Sequence, residues 1–257
     1  MDYNYHTHTK RCGHASGEVE NYIKRAIEGG IKYMGFSDHI PFIFPDGYES
    51  YYRIPVIEVE EYFNEIKALR EKYKDKIDIK IGFEVEYYPE YFAEMISNAI
   101  KWGAEYLILG QHFIYNEHPN GVWTGMPTDS EEKFKEYIKC TVDAINSGAF
   151  TYVAHPDILR YTGDFDFYCE QMSKICVASK NRNIPLEINF LGIRDKRLYP
   201  YDKFWEIAGT VQCPVTYGFD AHDEISAFDA VSLIKAEELV EKYNLNYIGR
   251  PEIKNIK

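Results

Sequence analysis

Apolar positions recur along the chain in two alternating rhythms. In 58–74, Val59, Tyr62, Phe63, Ile66, Leu69 and Tyr73 are spaced three and four apart, which predicts an amphipathic helix with one buried face. A second helix is expected from Pro89, a residue suited to a first turn, with Phe92, Met95, Ile96 and Ala99 on its inner face. A third is expected after Thr128-Asp129-Ser130, which can cap it. It turns Phe134, Tyr137, Ile138 and Val142 inward and stops near Gly148. Weaker helical patterns cover 18–29, 166–181, 201–210 and 226–243. Between these lie short β-rich runs at 3–5, 33–36, 77–85, 106–109, 152–154, 186–188 and 215–218.

Strand alternating with helix implies parallel β-α-β units, whose right-handed crossovers either close a barrel or wind an open sheet. A barrel of this kind takes about 250 residues, and the chain has 257. The expectation is therefore an α/β fold, a (β/α)7 barrel forming one domain over 1–257. One connection is long. Segment 40–55 is aromatic and turn-rich, with Phe42, Phe44, Pro45-Asp46-Gly47, Tyr48, Tyr51 and Tyr52, and reads as a candidate lid.

Composition narrows the function. No apolar run approaches the ~20 residues of a membrane span, and the N-terminal residues lack the basic-then-apolar pattern of a secretory signal. The five cysteines are odd in number and form no C-x-x-C pair, which suggests reduced thiols and a cytoplasmic setting. The formal net charge of −12 disfavours a broad nucleic-acid surface, since phosphate binding needs the opposite sign. An anionic substrate would need a local positive centre.

The histidines supply a candidate for one. Seven of the eight fall at or just beyond the C-terminal end of an expected strand: His6, His8, His14, His39, His112, His155 and His222. The third strand ends instead in Gly82-Phe83-Glu84-Val85-Glu86, and Asp220 precedes His222 at the seventh. Parallel strands gather their C-terminal ends at one rim, so these distant residues converge. Alternate strand residues share a face, so His6 and His8 can hold one ion. A lone histidine near a strand end is ordinarily a polar loop residue, and His118 is read that way. The ordered set is read as a multinuclear metal site, and its imidazoles and carboxylates suit zinc, manganese or iron.

The set His6-Thr7-His8, Cys12-Gly13-His14-Ala15, Ser37-Asp38-His39, Gly82-Phe83-Glu84-Val85-Glu86, Gly110-Gln111-His112, Ala154-His155-Pro156-Asp157 and Asp220-Ala221-His222 resembles the PHP (polymerase and histidinol phosphatase) superfamily. The first three motifs, read as H-T-H-x-x-x-C-x-H-A and S-D-H-x-P, look most like its histidinol-phosphatase branch. The resemblance spans residues 6 to 222. It implies a distorted (β/α)7 barrel and a trinuclear centre. In that scheme His6, His8, Glu84 and Asp220 hold one ion. Glu84 bridges to a second held by His112 and His155, and His14, His39 and His222 hold the third. Cys12 is expected to be a packed thiol, and Glu86 to orient a ligand from behind.

The implied reaction is phosphomonoester hydrolysis of L-histidinol phosphate, a late step of histidine biosynthesis. The nucleophile would be a hydroxide bridging the ions that share Glu84. Asp220, or Asp38 beside His39, is expected to pass a proton to the leaving alkoxide. Arg160, Arg197 and Arg194 lie in loops at the same rim and are candidate phosphate contacts. Glu117, Asp157 and Asn189 are candidate acceptors for the amine and imidazole, which loop 40–55 would cover. The alternative keeps the family and changes the substrate to nucleotides or nucleic-acid ends. An amidohydrolase fits less well, because its bridging group commonly follows the fourth strand and His14 and His39 would be surplus.

Overall fold

The computed structural model describes residues 1–256. The strongly periodic segments form helices as expected. Segment 58–74 becomes α2 (Val59–Tyr73), with Val59, Tyr62, Phe63 and Ile66 buried. The helix after Thr128-Asp129-Ser130 is α4 (Glu131–Ser147). The Ser130 side chain accepts from Lys133 N, and Gly148 ends the helix at φ 73°. The helix expected from Pro89 is α3 (Phe92–Trp102) and starts three residues later, after a turn. The weaker patterns become α1 (Val19–Glu28), α5 (Phe165–Arg182), α7 (Asp202–Val211) and α8 (Ala230–Lys242). A short helix absent from the sequence reading, α6 (Phe190–Arg194), follows directly on a strand.

Strands β1 (Tyr3–Asn4), β2 (Tyr33–His39), β3 (Asp78–Val85) and β4 (Tyr106–Leu109) form one parallel sheet in that order. Strands β7 (Leu186–Asn189), β8 (Pro214–Gly218) and β9 (Asn246–Tyr247) form a second parallel sheet. Val153 joins the two by parallel bridges to Leu109 and Leu186, and a parallel bridge between Thr7 and Ala221 connects the other side. The sheet therefore curls on itself, and the C-terminal ends of β2, β3, β4, β7 and β8 face one rim. Regular staves of equal weight are not what forms. The run at 152–154 contributes a single bridging residue, and β9 pairs with the start of β8. An antiparallel hairpin, β5 (Phe113–Ile114) with β6 (Val122–Trp123), rises from the loop after β4. These elements are two residues long, too short to show a period.

Two apolar layers hold the curl. Helices pack their apolar faces on the outside of the sheet, as in the large cluster with Ile23, Phe83, Ile145 and Trp205. Inside, Tyr3, Tyr5, Tyr106, Tyr152, Ile108 and Ala154 make a separate buried cluster. Two of these tyrosine hydroxyls find partners, while that of Tyr152 has none. Tyr106 donates to Tyr5 O at 2.8 Å, and Tyr3 Oη lies 2.9 Å from Thr216 Oγ1. Segment 40–55 is not a loose lid. Ile40, Phe42, Phe44, Arg53 and Ile54 are buried, and an antiparallel bridge ties Ile43 to Glu49. Ile43, residues 45–49 and Tyr51 stay exposed, Tyr51 to 83%. Among the described residues the five cysteines are unpaired, and no helix is long and apolar enough to cross a membrane.

Candidate metal centre

The strand register begins the site. Pairing of β2 with β3 sets His39 beside Glu84, at the last turn of each strand. The Thr7–Ala221 bridge brings the His6–His8 run alongside Asp220 and His222, with His8 N donating to Ala221 O at 2.9 Å. Glu84 is the centre of the cluster. Its Oε2 lies 3.6 Å from His6 Nε2, 3.4 Å from His8 Nε2 and 3.3 Å from His39 Nδ1. Its Oε1 lies 3.0 Å from His155 Nε2 and 3.6 Å from His112 Nε2. A side chain at Gly110 would collide with Glu84 Oε1, so the absence of a Cβ there makes room for the carboxylate. Asp220 Oδ1 sits 3.5 Å from His6 Nε2, 3.4 Å from His8 Nε2 and 3.2 Å from His222 Nδ1. His14 and His222 meet Nε2 to Nε2 at 3.0 Å.

All nine side chains expected at the rim thus come together. Donor atoms lie within 4.8 Å of one another in His6–His8–Glu84, in His14–His39–His222, in His6–His155–Asp220 and in His39–Glu84–His112. His6, His39 and Glu84 each belong to two of these groups. The fit to divalent ions is a matter of donor chemistry. The buried atoms His6 Nε2, His8 Nε2, His39 Nδ1 and Asp220 Oδ1 have no hydrogen-bond partner. Buried polar atoms are nearly always paired, and imidazole nitrogens with carboxylate oxygens are the donors zinc and its neighbours take.

Electrostatics divide the cluster: burial is outweighed by the surrounding carboxylates, which raise His6, His8 and His112, while other groups move the opposite way. Burial opposes charge on Glu84, but the facing imidazoles of His112, His39 and His6 outweigh it and hold the carboxyl well below its ordinary range. Burial, with His222 and His8 nearby, pushes His14 down to about 4. Burial and crowding by neighbouring imidazoles likewise depress His39 and His222. These three histidines are therefore neutral near pH 7, the form that ligates a metal.

Behind the cluster stands a row of orienting groups. His6 Nδ1 donates to Glu187 Oε1 at 2.8 Å, His8 Nδ1 lies 3.3 Å from Asp38 Oδ1, and His112 Nδ1 donates to Glu86 Oε1 at 3.0 Å. His14 Nδ1 meets Cys12 O at 2.8 Å. Each such bond turns the other ring nitrogen toward the cluster. Glu187 escaped the sequence reading. Its signal was a carboxylate inside the apolar strand Leu186-Glu187-Ile188, where only a paired charge survives burial. Gly218 leaves space for it, since a Cβ there would strike Glu187 Oε1. Cys12 is fully buried beside His8 and His222, and burial raises its thiol pKa.

The cluster forms the floor of a cleft of about 1210 Å³. Arg160, Arg194 and Arg197 line it, together with Tyr51, Tyr52 and Trp123. Arg197 donates to Tyr199 Oη at 3.1 Å and to Asp195 Oδ2 at 3.2 Å and stays half-exposed. Arg194 is committed inward. It donates to Asp229 Oδ2 at 3.1 Å and to the carbonyls of Phe219 and Asp220, so it braces the Asp220 turn.

Four expected contacts lie elsewhere. Asn189 is buried, donating to Glu187 and Asp220 and accepting from Gly192 N, which occupies both ends of its amide. Asp157 is buried behind the rim and accepts from Tyr201 N at 2.6 Å and Trp205 Nε1 at 3.0 Å. Glu117 is turned into the wall against Arg53. Asp38 has its oxygens on His8, Thr9 and the His39 backbone, so it orients a ligand rather than facing the cleft as a proton donor. Each was placed at the right rim, but neighbouring backbone and side chains claim its polar atoms.

Residues 4–190 match the PHP domain family. The chain belongs to that family. This PHP chain is 26% identical over 224 residues to the probable histidinol-phosphatase of Deinococcus radiodurans, covering 84% of this chain and 85% of that protein. It is 26% identical over 260 residues to the histidinol-phosphatase of Lactococcus lactis, covering 94% and 90%. A solved structure of the Lactococcus lactis histidinol phosphate phosphatase, in complex with zinc, L-histidinol and phosphate, superposes with a TM-score of 0.71 at 24% identity, over 96% of this chain and 95% of that one. The two share a fold.

Proposed function

We propose that this chain is a metal-dependent phosphomonoesterase that hydrolyses L-histidinol phosphate to L-histidinol and phosphate in histidine biosynthesis. The observation that carries the reading is the convergence of seven histidines, Glu84 and Asp220 at the floor of one cleft, with buried donor atoms that lack protein partners. Relatives named histidinol-phosphatase support the choice of substrate. The enzyme is taken to be one domain, cytoplasmic, acting on a small phosphorylated molecule with no nucleic-acid or membrane partner.

Three divalent ions, zinc, manganese or iron, are assigned. His6, His8, Glu84 and Asp220 would hold one, Glu84, His112 and His155 a second, and His14, His39 and His222 the third. Such ions supply a water pKa lowered toward ~7 and positive charge for the phosphate. The protein groups do the rest. Arg160 and Arg197, which line the cleft, hold phosphate oxygens with their planar forks. Asp220, which lines the cleft where Asp38 does not, is assigned the proton transfer to the leaving alkoxide. Tyr52 and Trp123 form an apolar wall for the rest of the substrate.

The test is phosphate release from a panel containing L-histidinol phosphate, several nucleotides and a sugar phosphate, with zinc or manganese supplied. A preference for histidinol phosphate of several orders of magnitude in kcat/KM is expected. Flat or nucleotide-biased activity would retain the phosphoesterase and discard the biosynthetic role.

A further inference from the structure

The wall of the cleft holds a buried cation with no part in the chemistry above. Arg53 is 1% exposed. Its Nε and Nη2 donate to Glu117 Oε2 at 3.0 and 2.8 Å, Nη2 also donates to Glu86 Oε2 at 2.6 Å, and Nη1 donates to Ile40 O at 3.0 Å. Glu86 carries the chain onward, because its other oxygen accepts from His112 Nδ1. The guanidinium carbon also lies 5.2 Å from the centroid of the Tyr52 ring, and that ring meets His39 edge-on at 5.3 Å. Ile40 follows His39 in sequence, and Ile54 N donates to His39 O at 3.3 Å. One guanidinium thus touches the supports of two cluster histidines that come from different strands.

Resting on the metal-centre reading above, we infer that Arg53 is a positioning residue for the metal centre. It holds Glu86 against His112 and Tyr52 against His39, and so sets the affinity of the ion pocket built on Glu84 and His112. The physical reason is the cost of an unpaired buried charge. Glu86 is fully buried, and its Oε2 is fixed by the 2.6 Å bond from Arg53. With that oxygen held, Oε1 is aimed at His112 Nδ1 at 3.0 Å, which leaves Nε2 free to face Glu84. A lysine cannot replace the fork, since a single ammonium cannot reach Glu86, Glu117 and Ile40 O in one plane. Glu117 holds the far edge of that plane, which accounts for its burial in the wall.

The experiment compares wild type, Arg53→Lys, Arg53→Met and Glu117→Gln, each loaded with zinc and titrated with a competing chelator. Circular dichroism and thermal unfolding are followed in parallel. In Arg53→Lys and Arg53→Met the class of zinc held through His112 is expected to bind roughly 10–100-fold more weakly, as for other residues that orient ligands, with a smaller shift for the zinc held through His39, while the zinc on His6, His8 and Asp220 is retained. Turnover of histidinol phosphate should track that occupancy and recover at high zinc, with KM little changed. Glu117→Gln should shift the same class of zinc in the same direction by less. A variant with a lowered Tm and a zinc titration that superposes on wild type would show Arg53 to be only a staple for segment 40–55, and equal weakening of every ion would also overturn the inference. If Arg53→Met does not fold, Arg53→Lys and Glu117→Gln decide. Wild type that binds zinc but does not turn over histidinol phosphate is a failure of the proposed substrate alone. Wild type that binds no divalent ion defeats both.

Discussion

The two halves of the rim hold their share of the cluster by different means. In the first half, His39 and Glu84 end long regular strands, and the register of β2 on β3 aligns them. In the second half, His155 and Asp220 sit at φ 31° and φ 47°, in the left-handed region that L-residues other than glycine seldom enter. A scaffold of other side chains holds these two turns. Glu187 accepts from His155 N at 3.1 Å, Asn189 donates to Asp220 Oδ2 at 3.0 Å, and Arg194 donates to Asp220 O at 3.2 Å. A donor on a regular strand needs only the sheet. A donor on an unfavourable turn needs neighbours whose bonds offset the strain, and such strain collects at functional sites.

The comparison can be broken from either side. Glu84→Gln, in the regular half, should have the largest effect. It removes the carboxylate that faces five histidines, and more than about a 100-fold loss of phosphate release is expected, beyond that of any orienting group. Metal analysis of the purified variant checks it, and full occupancy with normal kcat would remove Glu84 from the centre. Glu187→Gln, in the strained half, should cost about 10–100-fold in metal affinity or activity, because His6 loses its charged partner. Wild-type zinc binding there would show that the strained turns stand without help. Arg160→Ala and Arg197→Ala should each lower kcat/KM by about tenfold, the size of one charge-assisted hydrogen bond, with metal content untouched. Unchanged kcat/KM would exclude the arginine concerned.

Asp229→Ala should show the smallest effect and tests the scaffold at its outer edge. Asp229 caps α8, accepting from Ser232 N, and also pairs with Arg194. Loss of the cap costs about 1 kcal/mol, which for a chain of this size lowers Tm by roughly 2–4 °C. Burial opposes the charge on Asp229, but bonds from Ser232 and Arg194 outweigh it and hold the carboxyl below its ordinary range. A depressed folded-state pKa gives stability that is present above the unfolded value of about 3.9 and lost as pH falls through the folded one. Thermal unfolding should therefore show the gap between wild type and variant closing below about pH 4.

The same division governs what could be read ahead of the structure. Helices α2 and α4 were legible because long periodic faces and caps act locally. The convergence of His6, His8, His39 and His112 was legible because parallel strands share one direction. The roles of Asn189, Asp157, Glu117 and Asp38 were not. Each was correctly placed near the rim, yet polar groups distant in sequence take up its side chain. The opposite error left out Glu187, whose partners His6 and His155 are brought to it only by closure of the curl. Segment 40–55 read as a lid from its turns and tyrosines, but Phe42, Phe44 and Ile54 bury it.

The sequence by itself determined the alternation of strand and helix, the family, and the set of side chains that gathers at one rim. Those follow from periodicity and strand direction, which are properties of local segments. Only the tertiary structure decided which carboxylates face the cleft and which stand behind the histidines, and that Arg53 joins two walls of the site. Those outcomes depend on which buried charge finds a partner, and pairing is set by how segments far apart in the chain pack together.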